Sequence, residues 1–188
     1  VINNVEHSQS QIISGTATGA VAGDRLVVTI AGQQYVTSTD ASGNWSVGVP
    51  ASVISGLADG TVTISATITD SAGNSSTQTH NVQVNTAAVS LSVSTISGDN
   101  IINAAEAGAG QSISGQVTGA TAGDTVTVTL GGATYTATVQ ANFSWSVDVP
   151  ASALQALGNG ERTISASVTN SVGNTGNGTR EITIDANL

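Results

Sequence analysis

The chain has 188 residues and a net charge of −9, with only three basic residues (Arg25, Arg162 and Arg180), 22 glycines and no cysteine. So few cations exclude a phosphate-tracking surface, and nucleic acid is not an expected partner. The lack of cysteine excludes disulfides and thiolate metal sites, and no apolar run approaches the ~20 residues of a membrane helix, so no membrane insertion is expected.

Only 3% of residues are aromatic and 8% charged, while Val, Thr, Ser and Ala abound. Val and Thr suit a pleated, half-buried strand surface, and the expected class is all-β with many turns. Val1 is not a natural start, so the chain reads as a piece of a longer protein.

The chain opens on Val1-Ile2-Asn3-Asn4-Val5-Glu6-His7, and Ile101-Ile102-Asn103-Ala104-Ala105-Glu106 repeats it 100 residues later. The offset holds onward. Gln11 to Gly15 matches Gln111 to Gly115, Ala22-Gly23-Asp24 matches Ala122-Gly123-Asp124, and Trp45-Ser46-Val47 matches Trp145-Ser146-Val147. About 36 of 88 paired positions are identical without a gap, which predicts two copies of one fold, 1–86 and 87–188.

In the second copy, alternation predicts strands near 89–96, 111–118, 124–130, 133–139, 143–149, 161–169 and 178–185. Gly131-Gly132, Gly158-Asn159-Gly160 and Gly173-Asn174 punctuate them. Seven short strands in about 100 residues predict an immunoglobulin-like β-sandwich. Pro150 to Leu157, and Pro50 to Leu57, predict a single helical turn between the fifth and sixth strands.

Nothing before Val1 corresponds to 89–96, so the first copy is expected to lack an edge strand. An open edge invites pairing with another chain, but a contact there is expected to be a consequence of the cut rather than a natural interface, and a monomer is the expected state. The joint near Asn85-Thr86-Ala87-Ala88 is too short for a flexible tether, and the two sandwiches are expected nearly end to end. Strand direction then places the Asn3–Glu6 loop opposite the Asn170–Asn174 loop, with Asn85 between.

Asn3, Glu6, Asn85 and Asn170 are thus candidate oxygen ligands for a hard cation such as Ca²⁺. The alternative for the same residues is a plain turn, since Asn, Asp and Gly form turns for local backbone reasons. Trp45 and Trp145 are in phase with Val47, Val49, Val147 and Val149 and read as core, with Tyr35 and Tyr135 as packing residues. His7 and His80 have no counterparts and read as solvated. Sequons at Asn44, Asn74, Asn142 and Asn177 are expected by chance in a Ser/Thr-rich chain.

The motif Gly98-Asp99-Asn100-Ile101-Ile102-Asn103-Ala104-Ala105-Glu106-Ala107, the Ala-Gly-Asp turn, the Trp-Ser-Val strand and the Asp70-Ser71-Ala72-Gly73-Asn74 loop are together informative. They resemble the bacterial Ig-like repeats of giant RTX-type secreted adhesins, such as the LapA-like biofilm proteins and the Salmonella giant adhesin. The resemblance implies a tandem-repeat extender at the bacterial cell surface, exported by a type I system. It implies neighbouring repeats of the same chain as partners and Ca²⁺ at the junctions. Carried over by motif, it implies Asp99, Asn103 and Glu106 as loop ligands, with Asn3 and Glu6 as their first-copy equivalents. It also implies Asp185 at the linker position and Asp70 at the start of the last loop. Asn85 and Asn170 stand where that family usually has carboxylates, so the internal junction is expected to be the weaker site. The runner-up is a carbohydrate- or protein-binding adhesin module. An enzyme such as a glycosidase would need two facing carboxylates in a cleft, and no recurring catalytic grouping is present.

Overall fold

Where Val126, Val128 and Leu130 alternate with Thr125, Thr127 and Thr129, the apolar set is buried and the backbone is a strand. That rule builds most of the protein. The computed structural model describes residues 1–187. The chain forms two units, Val1–Thr86 and Ala87–Leu188.

Unit 2 is a two-sheet β-sandwich. It contains β8 (Ser90–Leu91), β9 (Ile101–Asn103), α2 (Ala104–Ala109), β10 (Gln111–Thr118), β11 (Thr125–Leu130), β12 (Ala133–Thr138), β13 (Ser144–Val149), α3 (Ala151–Leu157), β14 (Gly160–Thr169) and β15 (Thr175–Asp185). One sheet has the order β12-β11-β14-β15-β9 and the other β13-β10-β8. Unit 1 repeats the plan with β1 (Ile2–Asn3), β2 (Gln11–Thr16), β3 (Arg25–Ile30), β4 (Gln33–Ser38), β5 (Asn44–Val49), α1 (Ala51–Ile54), β6 (Gly60–Thr69) and β7 (Ser75–Asn85). Its sheets are β1-β7-β6-β3-β4 and β2-β5. The all-β sandwich class expected from alternation is what forms.

Three expectations need correction. The stretch 89–96 is regular only at Ser90–Leu91. Beyond it, Ser92 N donates to Gln116 O (2.9 Å) and Ser94 N to Ser114 O (2.8 Å), so the segment follows β10 without a full ladder. The stretch 99–106 is not a plain loop but a strand, β9, running into a helix, α2. β9 pairs in parallel with β15, and β1 with β7, which periodicity cannot show because the partner lies some 80 residues away. His7 is half-buried rather than solvated, with Nε2 2.9 Å from Leu57 O. His80 is exposed as expected.

The helices between the fifth and sixth strands differ in length. α3 runs seven residues, buries Leu154 and packs Ala153 and Leu157 on the core. α1 stops after four, where Ser55 and Gly56 replace Gln155 and Ala156, and glycine is a poor helix former. In unit 2 the Arg162 guanidinium donates to Leu157 O. Unit 1 has Val62 at that position, and His7 meets the equivalent carbonyl instead.

Candidate functional site

The acidic motif is first of all a helix start. Asn103 is the N-cap of α2: its Oδ1 accepts from Glu106 N (3.0 Å), and Glu106 Oε2 accepts from Asn103 N (3.0 Å). This reciprocal pair satisfies two backbone donors that the first helical turn leaves without partners. Unit 1 repeats it. Asn3 N donates to Glu6 Oε2 and Glu6 N to Asn3 Oδ1, both at 3.0 Å, around the 3₁₀ turn Glu6–Ser8.

Behind each cap a glutamine closes the turn. Gln111 Nε2 donates to Glu106 O and Gln11 Nε2 to Glu6 O, both at 3.1 Å. These glutamines recur in both copies and sequence reading missed their part, although the Asn-x-x-Glu spacing followed by Gln was there to be seen. Asn100 was also missed. It takes a left-handed conformation (φ 67°), accepts from Ile96 N (3.2 Å) through Oδ1, and its carbonyl accepts from Thr183 N (2.9 Å).

Strand register gathers the remaining candidates. Asn103 stands opposite Asp185, and Asn3 opposite Asn85. Asp99 precedes β9, its Oδ1 accepting from Ile101 N (2.9 Å). Unit 2 therefore brings Asp99, Asn103, Glu106 and Asp185 to the end where β15 finishes. Unit 1 brings Asn3, Glu6 and Asn85 to the end where β7 finishes.

Asp70 and Asn170 lie at the opposite ends of their units, in the turns that start β7 and β15. There they organise backbone. Asp70 accepts from Ala72 N (2.9 Å), Asn74 N (2.8 Å) and Asn74 Nδ2 (2.9 Å). The Asn74 side-chain amide, followed by the Asn74 backbone N–H, holds the Asp70 carboxyl below its ordinary pKa. Asn170 Oδ1 accepts from Val172 N (3.2 Å) and Asn174 N (3.0 Å), while its Nδ2 donates to Gly119 O (3.0 Å).

The donor set at the strand ends is all oxygen, which matches the chemistry of a hard cation. The fit is incomplete within one unit. One oxygen of Glu6 and one of Glu106 is committed to a cap. Among the described residues no three His, Cys, Asp or Glu side chains converge as a ligand set. An ion at either end would therefore draw on the second carboxylate oxygen together with amide, carbonyl and water oxygens.

The tryptophans offer no flat aromatic platform. Trp145 is 1% exposed, and Trp45 is half-buried against the unit 1 core. Tyr35 and Tyr135 pack on their cores as well. Among the described residues no helix is long and apolar enough to cross a membrane.

Comparison with known proteins follows the repeat. A family profile described as a bacterial Ig-like domain matches residues 13–86. A solved adhesin of an Antarctic bacterium, described as Ca²⁺-stabilized and as binding ice, is 36% identical with a TM-score of 0.59. The match covers 99% of this chain and 46% of that one. A 1.5-MDa bacterial ice-binding adhesin, described in terms of host cell surface retention, is 32% identical with a TM-score of 0.55, covering 98% of this chain and 60% of that one. A single immunoglobulin-like domain of the M. primoryensis ice-binding adhesin is 37% identical over 98% of its length and 52% of this chain, with a TM-score of 0.41. The chain thus spans only 46% to 60% of the two longer structures. No curated protein sequence matches it.

Proposed function

The chain belongs to the bacterial Ig-like domains of large adhesins, and we propose that its two sandwiches are extender repeats that hold a distant adhesive part away from the cell surface. In this reading the protein is a structural spacer and not a catalyst. It sits outside the cell, exported by a type I route, and serves surface attachment and biofilm formation.

One observation carries the reading: the same capped acidic motif recurs at the end of each unit where the last strand finishes. A motif at that place in every repeat is suited to act between repeats. Ca²⁺ would supply positive charge against which the carboxylates and amide oxygens can be ordered. Asn3, Glu6 and Asn85 would hold it in unit 1. Asp99, Asn103, Glu106 and Asp185 would hold it in unit 2, with an Asp70-type loop from a further repeat. The caps pre-position Glu6 and Glu106, so less ordering remains to be done on binding.

Without the cation, the clustered carboxylates repel and the short joint bends. With it, differential binding shifts the population toward the ordered joint, and stability rises with ligand concentration. The test is thermal melting of the chain in Ca²⁺ and in EDTA. A rise in melting temperature that saturates with Ca²⁺ supports the reading; coincident curves contradict it.

A further inference from the structure

Unit 2 contains the tripeptide Gly-Asn-Gly twice, at Gly158-Asn159-Gly160 and at Gly176-Asn177-Gly178. An asparagine before glycine is open to attack by the next backbone nitrogen, because glycine has no Cβ to hinder ring closure. The tripeptides are identical, so their surroundings in the fold decide which of them reacts.

Asn177 is held inside a ladder. It stands opposite Ser167, and Gly178 stands opposite Ala166, with further pairs on either side. Asn159 is exposed in the turn between α3 and β14, and Gly160 forms the last pair of the same ladder, opposite Ile184. A pair at a ladder end opens more readily than one in its interior.

Two features of that turn favour the reaction. Asn159 Oδ1 accepts from Ala186 N (3.0 Å), and this oxygen is the atom on which negative charge grows when the side-chain carbonyl is attacked. The Arg162 guanidinium spans the turn, donating to Leu157 O, to Gly158 O (3.4 Å) and to Glu161 O (2.7 Å). Its Nη1 lies 3.4 Å from where a Cβ on Gly160 would stand. A cation so placed lowers the cost of an anion at the Gly160 nitrogen.

We propose that Asn159-Gly160 is a self-modifying site at which unit 2 slowly gains a carboxylate. The Gly160 amide gives its proton to hydroxide, and its nitrogen attacks Asn159 Cγ. The new C–N bond closes a succinimide as Nδ2 takes a proton from water and leaves as ammonia, which regenerates hydroxide. Water then opens the ring at one carbonyl or the other, giving aspartate or isoaspartate. Water is the only co-reactant.

Unit 1 shows how the aspartate fits. It has Asp59-Gly60 at these positions, and Asp59 Oδ1 accepts from Thr86 N (2.9 Å) and Thr86 Oγ1 (2.8 Å), as Asn159 accepts from Ala186. Unit 1 also has Val62 in place of Arg162, so the cation is found where there is an amide to convert. The new carboxylate would stand against the residue that follows Asp185. On the cation reading above it adds a ligand to that end, whereas the conversion itself does not depend on that reading.

The test is peptide mass spectrometry of the whole chain aged in heavy-oxygen water at mildly alkaline pH, where the incorporated oxygen marks ring opening. Asn159 should convert about tenfold faster than Asn177 in the folded chain, and at a closely similar rate in denaturant. Arg162→Met should slow Asn159 several-fold even though it loosens the turn, while Arg162→Lys, which keeps the charge, should stay near the parent. Equal rates at the two asparagines of the folded chain, or faster conversion in Arg162→Met, would overturn the proposal. Asn159→Asp carries the product from the start, and its Ca²⁺-dependent rise in melting temperature should exceed the parent's. An equal rise in both would strike out the added ligand; no rise in either would be a failure of the cation reading, with the conversion still decided by the mass measurement.

Discussion

Unit 2 buries 23 apolar side chains in one cluster among the described residues, and unit 1 buries nine. The two share too many identical residues for composition to explain this. Four of the extra residues are Val89, Leu91, Val93 and Ile96, from a segment whose unit 1 counterpart would lie before Val1. Six more show what the segment does. Ile113, Trp145, Val147, Ala166, Val168 and Ile182 are buried, while their equivalents Ile13, Trp45, Val47, Ala66, Ile68 and Val82 are only partly so. One short stretch with little regular strand thus closes a core that the other strands leave ajar. The hydrophobic contribution follows area removed from water, so the segment stabilises through the residues it covers as well as through its own side chains.

The largest effect should come from breaking that seal. Leu91→Ala removes a buried side chain at its centre and is expected to cost unit 2 about 2–5 kcal/mol, leaving unit 1 unchanged. Two resolved calorimetric transitions would show it, with only the unit 2 transition moving.

Making unit 2 resemble unit 1 at the contact comes next. Gly176→Ser with Gly178→Gln forces side chains against Val89 O and Leu91 O, at an expected cost of about 1–3 kcal/mol per site. Trp145 should then become accessible to acrylamide, as Trp45 is expected to be.

The caps allow a finer dissection, because their roles as cap and as ligand can be separated. Asn103→Ala should cost about 1 kcal/mol by removing the side-chain acceptor at the start of α2. Glu106→Gln keeps a group able to complete the reciprocal cap and removes only the charge. Its melting temperature in EDTA should stay close to the parent's, while the Ca²⁺-dependent rise shrinks. Equal loss in EDTA and in Ca²⁺ would mean that Glu106 is a cap and nothing more.

The smallest effect distinguishes the units by pH. Asp40 and Asp70 are both held below the ordinary carboxylate pKa, Asp40 chiefly by the Asn44 backbone N–H and Asp70 chiefly by the Asn74 side chain. A lowered folded pKa adds stability above the unfolded value, ~3.9 for Asp, and that stability is lost as pH falls through the folded value. Unit 2 has Gln140 and Asn170 at these positions. Below about pH 4, unit 1 should therefore carry a loss from these turns that unit 2 does not share. Asp70→Asn should flatten part of it, as followed by unit 1 melting against pH.

Much of this was legible in the residues. The 100-residue offset, the alternation in β11 and β13, and the turns around Gly131 and Gly173 gave two copies of one sandwich with nearly correct strands. The helical segment after Pro150 was legible too, because Leu154 and Leu157 lie three apart. What stayed hidden depends on distant partners. β9 owes its existence to β15, and His7 to a carbonyl 50 residues away. The acidic motif was found but read as a cation site or a plain turn, not as a helix cap. Asn-x-x-Glu is spaced to wrap an ion and spaced equally well to cap a helix, and spacing alone does not separate the two. The geometry assigns one oxygen of each Glu to the cap, which narrows what a cation could use.

Small-angle scattering of the chain, in Ca²⁺ and then in EDTA, tests the spacer function most directly. A cation-ordered joint predicts a larger maximum dimension and a narrower distribution of sizes in Ca²⁺, both reversed by EDTA and both weakened in Glu6→Gln. Superimposable curves in the two conditions would contradict it.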